Sequence, residues 1–125
     1  MKKIVNTDKA PKAIGTYSQA VLVNGFLYVS GQIGMLPDSG ELISEDFIEQ
    51  ADQAFKNIKA ILNSANMTFT DIVKMNVSIL DMAEFQKLNS VMAEFVSEPY
   101  PARAAVAVQQ LPKNAKVEIE VIAAK

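Results

Sequence analysis

The chain has 125 residues, 50% apolar and 21% charged, with a formal charge of −2. That is the size of one domain (1–125) of ordinary globular composition, and its acidic balance argues against nucleic acid as the main partner. It contains no Cys and no His, which excludes disulfides, thiol nucleophiles, Ser-His-Asp catalysis and zinc held by thiolate or imidazole.

An enzyme made from this chain must therefore work with Glu, Asp, Tyr, Lys, Arg, Ser or water. No metal site is expected. No apolar run approaches the roughly 18 residues of a membrane span. The start, Met1 to Asn6, turns polar after two apolar residues, so a signal-peptide core is not expected. The expectation is a cytoplasmic protein with no membrane partner.

In chain order, residues 2–6 read as a short strand and Asp8 to Gly15 as a loop containing Pro11. Tyr17 to Val23 reads as a strand. Asn24-Gly25 is a two-residue hairpin signal, because both turn positions need positive φ. Phe26 to Ile33 returns, interrupted by Gly31, and Met35 to Glu41 is turn-rich.

A helix is predicted over Asp46 to Ala65. Phe47, Ala51, Ala54, Phe55, Ile58, Ile61, Leu62 and Ala65 form its apolar stripe. Ser44 or the residues just after it supply the cap, and Asn66 is a left-handed stop. Ile72 to Leu80 then alternates as a strand, with Val73, Met75, Val77 and Ile79 on one face. Asp81-Met-Ala-Glu84 resembles a capping box opening a second helix to about Phe95, whose stripe is Phe85, Leu88, Met92, Phe95 and Val96. Asn89 falls on that stripe, so it is either a bonded core amide or a pocket group. Pro99 and Pro101 end the helix.

Two strands close the chain. In Pro101 to Val108, Arg103, Ala105 and Ala107 share a face. In Lys116 to Ile122, Val117, Ile119 and Val121 share one face and Glu118 and Glu120 the other. Arg103 has small neighbours, so it reads either as a carboxylate-binding fork or as half of a salt bridge to Glu118 or Glu120. The two glutamates read either as solvated strand carboxylates or as an acid or base beside an anion site.

The element order implies an α+β domain, a mixed sheet with two helices on one face. Two helices cannot cover both faces, and several strands are apolar on both, as with Leu22 between Val21 and Val23. The uncovered face is expected to bury itself against other subunits, which makes a site between subunits plausible.

Four motifs carry a resemblance: Gly15-Thr-Tyr-Ser-Gln19, Val29-Ser-Gly-Gln-Ile33, Pro101-Ala-Arg103 and Leu111-Pro-Lys-Asn-Ala-Lys-Val-Glu-Ile-Glu120. Together the chain resembles the RidA (YjgF-type) reactive-intermediate deaminases over essentially its whole length. The resemblance implies a chorismate-mutase-like fold, a homotrimer with clefts between subunits, and hydrolysis of 2-imino or enamine acids such as 2-iminopropanoate and 2-iminobutanoate to 2-oxo acids and ammonia. It implies no cofactor. By the same resemblance Arg103 pairs with the substrate carboxylate, Glu118 positions or activates water, and Tyr17, Ser30, Gly31, Asn89 and Ala105 line the pocket.

The chain departs from the family pattern in three places. Ala105 stands where Cys is frequent, Thr16 where Pro is usual, and Gly34 where Pro often follows Gln-Ile. The last two changes are expected to loosen loops at the pocket rim. The alternative function is a non-catalytic module of the same fold that binds a small carboxylate and regulates a partner. RNA cleavage is a more distant reading, since the chain has no His and no dense basic-aromatic patch.

Overall fold

A computed structural model describes all of residues 1–125. Six strands form one mixed sheet: β1 Lys3–Val5, β2 Ala20–Val23, β3 Phe26–Gln32, β4 Ile72–Ile79, β5 Ala102–Ala107 and β6 Val117–Ala124. Their spatial order is β1-β2-β3-β6-β4-β5. Every pairing is antiparallel except β4 with β5. Helices α1 (Phe47–Ser64) and α2 (Phe85–Met92) contribute to one core with the same face of the sheet, so the α+β expectation holds. No helix is long and apolar enough to cross a membrane.

The local signals explain the elements. Asn24 (φ 51°) and Gly25 (φ 80°) make the β2–β3 turn, both in the left-handed region that a tight hairpin needs. Asp46 caps α1 by accepting from the Glu49 N–H at 2.9 Å, and Asn66 at φ 59° stops the chain after it. The α1 stripe is buried: Ala51, Ala54, Phe55, Ile58, Ile61 and Leu62 lie against Leu27, Val29, Val117, Ile119 and Val121 of the sheet. Phe55 stacks on Phe95 at 5.1 Å and Phe69 leans on both. Such aromatic pairs contribute about 0.5–1.5 kcal/mol each beyond burial, and these fix the segment after α2 against α1.

Four expectations are corrected. The strand predicted from Tyr17 begins at Ala20, because Gln19 turns its side chain back to the preceding loop. It donates to the Pro11 carbonyl (2.8 Å) and accepts from the Thr7 N–H (2.8 Å). In β4, Val73 is 47% exposed while Ile72 is buried. The β4–β6 register shifts between Ile72 and Lys74, and this bulge inverts the alternation at its first residues. The second helix is shorter than predicted: a 3-10 turn spans Met82–Glu84 and the α-helix ends at Met92. Asp81 caps that turn through the Ala83 N–H (2.9 Å) without the reciprocal Glu84 bond of a capping box.

The fourth correction concerns the rim after β3. Gly34 does not loosen it. The Asn57 carboxamide donates to the Ile33 and Met35 carbonyls (3.1 and 2.9 Å) on either side. The Gly34 carbonyl accepts from Ile43 N–H at 2.9 Å. A Cβ at Gly34 would fall 2.5 Å from the Gln50 carbonyl oxygen, so glycine is what lets α1 dock on this loop.

A candidate active site split between two faces of the sheet

Register decides which functional side chains share a face. On β4, Met75 pairs with Arg103 of β5, and Ser78 pairs with Glu118 of β6. Met75 is buried in the core, so it lies on the helix side. Ser78 stands three residues on and faces the other way. Arg103 and Glu118 therefore lie on opposite faces of the sheet within one chain, and no salt bridge joins Arg103 to Glu118 or Glu120. The only ion pairs are Lys56–Asp52 and Lys87–Glu84.

The Glu118 side is a concavity of about 700 Å³. It is lined by Tyr17, Ser30, Gly31, Glu118 and Glu120, with Lys12 and Lys113 among its walls. Tyr17 is 54% exposed and sits on the loop before β2. The Ser30 hydroxyl donates to the Ser18 carbonyl at 2.6 Å, which holds that loop against β3. Glu118 packs on Gly31 at the β3 bulge. An added Cβ at Gly31 would lie 2.7 Å from Glu118 Cδ and 2.9 Å from its Oε2. Glycine is thus the condition for the carboxylate to occupy this position.

The two glutamates are separated by their surroundings. Glu120 accepts from the Asn76 carboxamide at 3.1 Å across the strands. Glu118 has no such donor. Partial burial pushes its carboxyl above the ordinary value of 4.5, and the neighbouring Glu120 charge adds to the rise.

The Arg103 side is built from α2 and the entry to β5. Asn89, Met92, Val96, Tyr100, Pro101 and Arg103 line a second concavity of about 480 Å³. Arg103 Nη1 donates to Asn89 Oδ1 at 2.7 Å and to Met92 Sδ at 3.4 Å. Its Cζ stands 5.1 Å from the centre of the Phe85 ring. Ala105 follows on the same face, opposite Val77 and against the core.

Tyr17, Ser30, Gly31 and Glu118 are therefore brought together, as are Arg103 and Asn89, but the two groups are not brought to each other. The sequence reading missed the side chains that hold these walls. Gln50, Gln53 and Asn57 are buried polar residues of α1. Gln50 accepts from the Lys116 N–H (2.8 Å) and donates to the Ser44 carbonyl (2.9 Å), and Gln53 donates to Asn57 (2.9 Å). A signal existed: their spacing of three and four residues runs along the apolar stripe.

The family model described as Endoribonuclease L-PSP matches residues 7–125. A human protein named 2-iminobutanoate/2-iminopropanoate deaminase is 46% identical, the match covering 98% of this chain and 90% of that protein. The crystal structure of RidA from the Antarctic bacterium Psychrobacter sp. PAMC 21119 has a TM-score of 0.95 and 52% identity over 98% of this chain and 99% of that one. Escherichia coli TdcF, solved with bound serine, has a TM-score of 0.92 and 41% identity, covering 98% of each chain.

Proposed function

The chain belongs to the Endoribonuclease L-PSP family, the RidA/YjgF group, and from that membership we propose that it hydrolyses 2-imino acids such as 2-iminopropanoate and 2-iminobutanoate to 2-oxo acids and ammonia. The observation that carries this reading is Glu118. It is a half-buried carboxyl with raised proton affinity, seated on Gly31 in a cleft beside Tyr17 and Ser30. A raised pKa brings a carboxyl closer to the working pH of a general acid or base.

Arg103 binds the substrate carboxylate. Glu118 takes a proton from water as the water oxygen bonds to the imine carbon and the C=N electron pair moves to nitrogen. Glu118 returns that proton to the nitrogen, giving a neutral carbinolamine. It then carries the hydroxyl proton to the amine as the C–N bond breaks, so the carbonyl re-forms, ammonia leaves and Glu118 is a carboxylate again. The imine is already electrophilic, so a carboxylate base is sufficient and no histidine is required.

A second copy of the chain completes the site. Arg103 and Glu118 face opposite ways, so one wall comes from each of two neighbouring copies. The helix-free face carries Phe26 and Tyr28, at 42% and 45% exposure, and Val106 at 52%. A homotrimer closed on that face covers these side chains and repeats the cleft three times.

The competing reading, a carboxylate-binding regulator, would need Arg103 but has no use for a carboxyl held at raised pKa. A dehydratase acting on threonine supplies 2-iminobutanoate for the test. The protein should accelerate loss of the imine above the rate in buffer alone, and an unchanged rate would remove the enzymatic reading.

A further inference from the structure

Arg103 is the only arginine in the chain, the other eleven cationic side chains being lysines. Its guanidinium has five N–H donors in a planar fork. Two belong to Nη1, which donates both to Asn89 Oδ1 at 2.7 Å and to Met92 Sδ at 3.4 Å. The Phe85 ring covers the group at 5.1 Å. All three partners come from α2, which spans Phe85–Met92, so they are fixed by one short element. A carboxylate can take two parallel bonds from a guanidinium either end-on, from Nη1 and Nη2, or side-on, from Nε and Nη2. The first mode is closed by Asn89 and Met92.

Resting on the reading of Arg103 as the carboxylate partner, we propose that Phe85, Asn89 and Met92 are positioning residues that turn the guanidinium so that the substrate carboxylate docks side-on, on its Nε–Nη2 edge. Asn89 then acts through Arg103. Phe85 limits rotation of the fork and adds a cation–ring attraction.

A sole arginine gives a single Nε–H resonance, which makes the test direct. Wild-type protein labelled with nitrogen-15 arginine is titrated with 2-oxobutanoate, a stable 2-oxo acid. The Arg103 Nε–H signal should shift with saturation. A titration that moves only the Nη signals, or none, overturns the proposal. In parallel, Phe85→Leu should raise KM for 2-iminobutanoate about 2- to 5-fold, the loss of one partly exposed cation–ring contact, with kcat nearly unchanged. Phe85→Tyr should restore KM. An unchanged KM in Phe85→Leu, or a fall confined to kcat, also overturns it. The resonance experiment needs no variant and no turnover. A wild-type protein that shows the Nε–H shift but does not hydrolyse the imine would therefore contradict the proposed function while sustaining the clamp.

Discussion

The Arg103 wall and the Glu118 wall hold opposite charges by opposite means. Arg103 sits on an edge strand, exposed, and is tied by three side chains of one short helix. Glu118 sits on an inner strand and is held by space, the missing side chain of Gly31, with Glu120 beside it. The difference matches the roles proposed for the two charges. A group that grips a carboxylate must keep its charge and orientation, and hydrogen bonds supply both. A group that moves protons must have its two protonation states close in energy. Donors aimed at Glu118 would stabilise the anion and lower its pKa, whereas burial without donors raises it.

The comparison breaks most sharply at Glu118. Glu118→Gln keeps the shape and removes the proton acceptor, so kcat should fall on the order of 10²- to 10⁴-fold, while assembly and 2-oxo acid binding persist. Unaffected turnover would end its catalytic assignment. Arg103→Ala removes a charged bidentate contact of about 1.5–3 kcal/mol, which is roughly 10- to 150-fold in kcat/KM. Near wild-type kcat/KM on fresh 2-iminobutanoate would sink the clamp on the carboxylate.

Gly31→Ala sharpens the contrast by changing only the space. The new Cβ displaces the Glu118 carboxylate toward solvent, and kcat should fall roughly tenfold through misplacement. The same displacement should move the acid limb of the pH profile. In the wild type, activity should rise with pH as Glu118 deprotonates, at a pH above the ordinary 4.5. In Gly31→Ala that limb should slide down toward 4.5. Because Glu118 binds its proton more tightly folded than unfolded, it also lowers wild-type stability as pH rises through the same window. A limb that stays in place would show that burial at Gly31 does not set the pKa. The smallest effect is expected from Ala105→Cys, which should leave kcat/KM within about twofold, since the proposed nucleophile is water and not a thiol.

Much of the architecture is legible in the sequence. The α1 stripe, the Asn24-Gly25 turn and the alternation of Val117, Ile119 and Val121 each express a local rule, and each held. What local rules cannot carry is phase between distant strands. Alternation placed Arg103 with Ala105 and Glu118 with Glu120, but only the pairing of Met75 with Arg103 and Ser78 with Glu118 reveals that they face apart. The Val73 bulge was hidden for the same reason, because its cause lies in the register with β6. The buried amides of α1 escaped because polar side chains read as solvated. Their partners, the carbonyls of Ile33, Met35 and Ser44 and the N–H of Lys116, belong to loops that approach only after folding.

The central claim is that a working cleft takes Arg103 from one copy and Glu118 from its neighbour. Arg103→Ala and Glu118→Gln proteins, each expected to be impaired roughly tenfold or more alone, can be mixed in equal amounts, unfolded and refolded together, and assayed on 2-iminobutanoate. Random assembly into closed rings leaves about a quarter of the clefts with both walls intact, so the mixture should recover roughly that fraction of wild-type activity. A mixture no more active than its two components would contradict the account, because a site built within one chain always keeps one of the two defects.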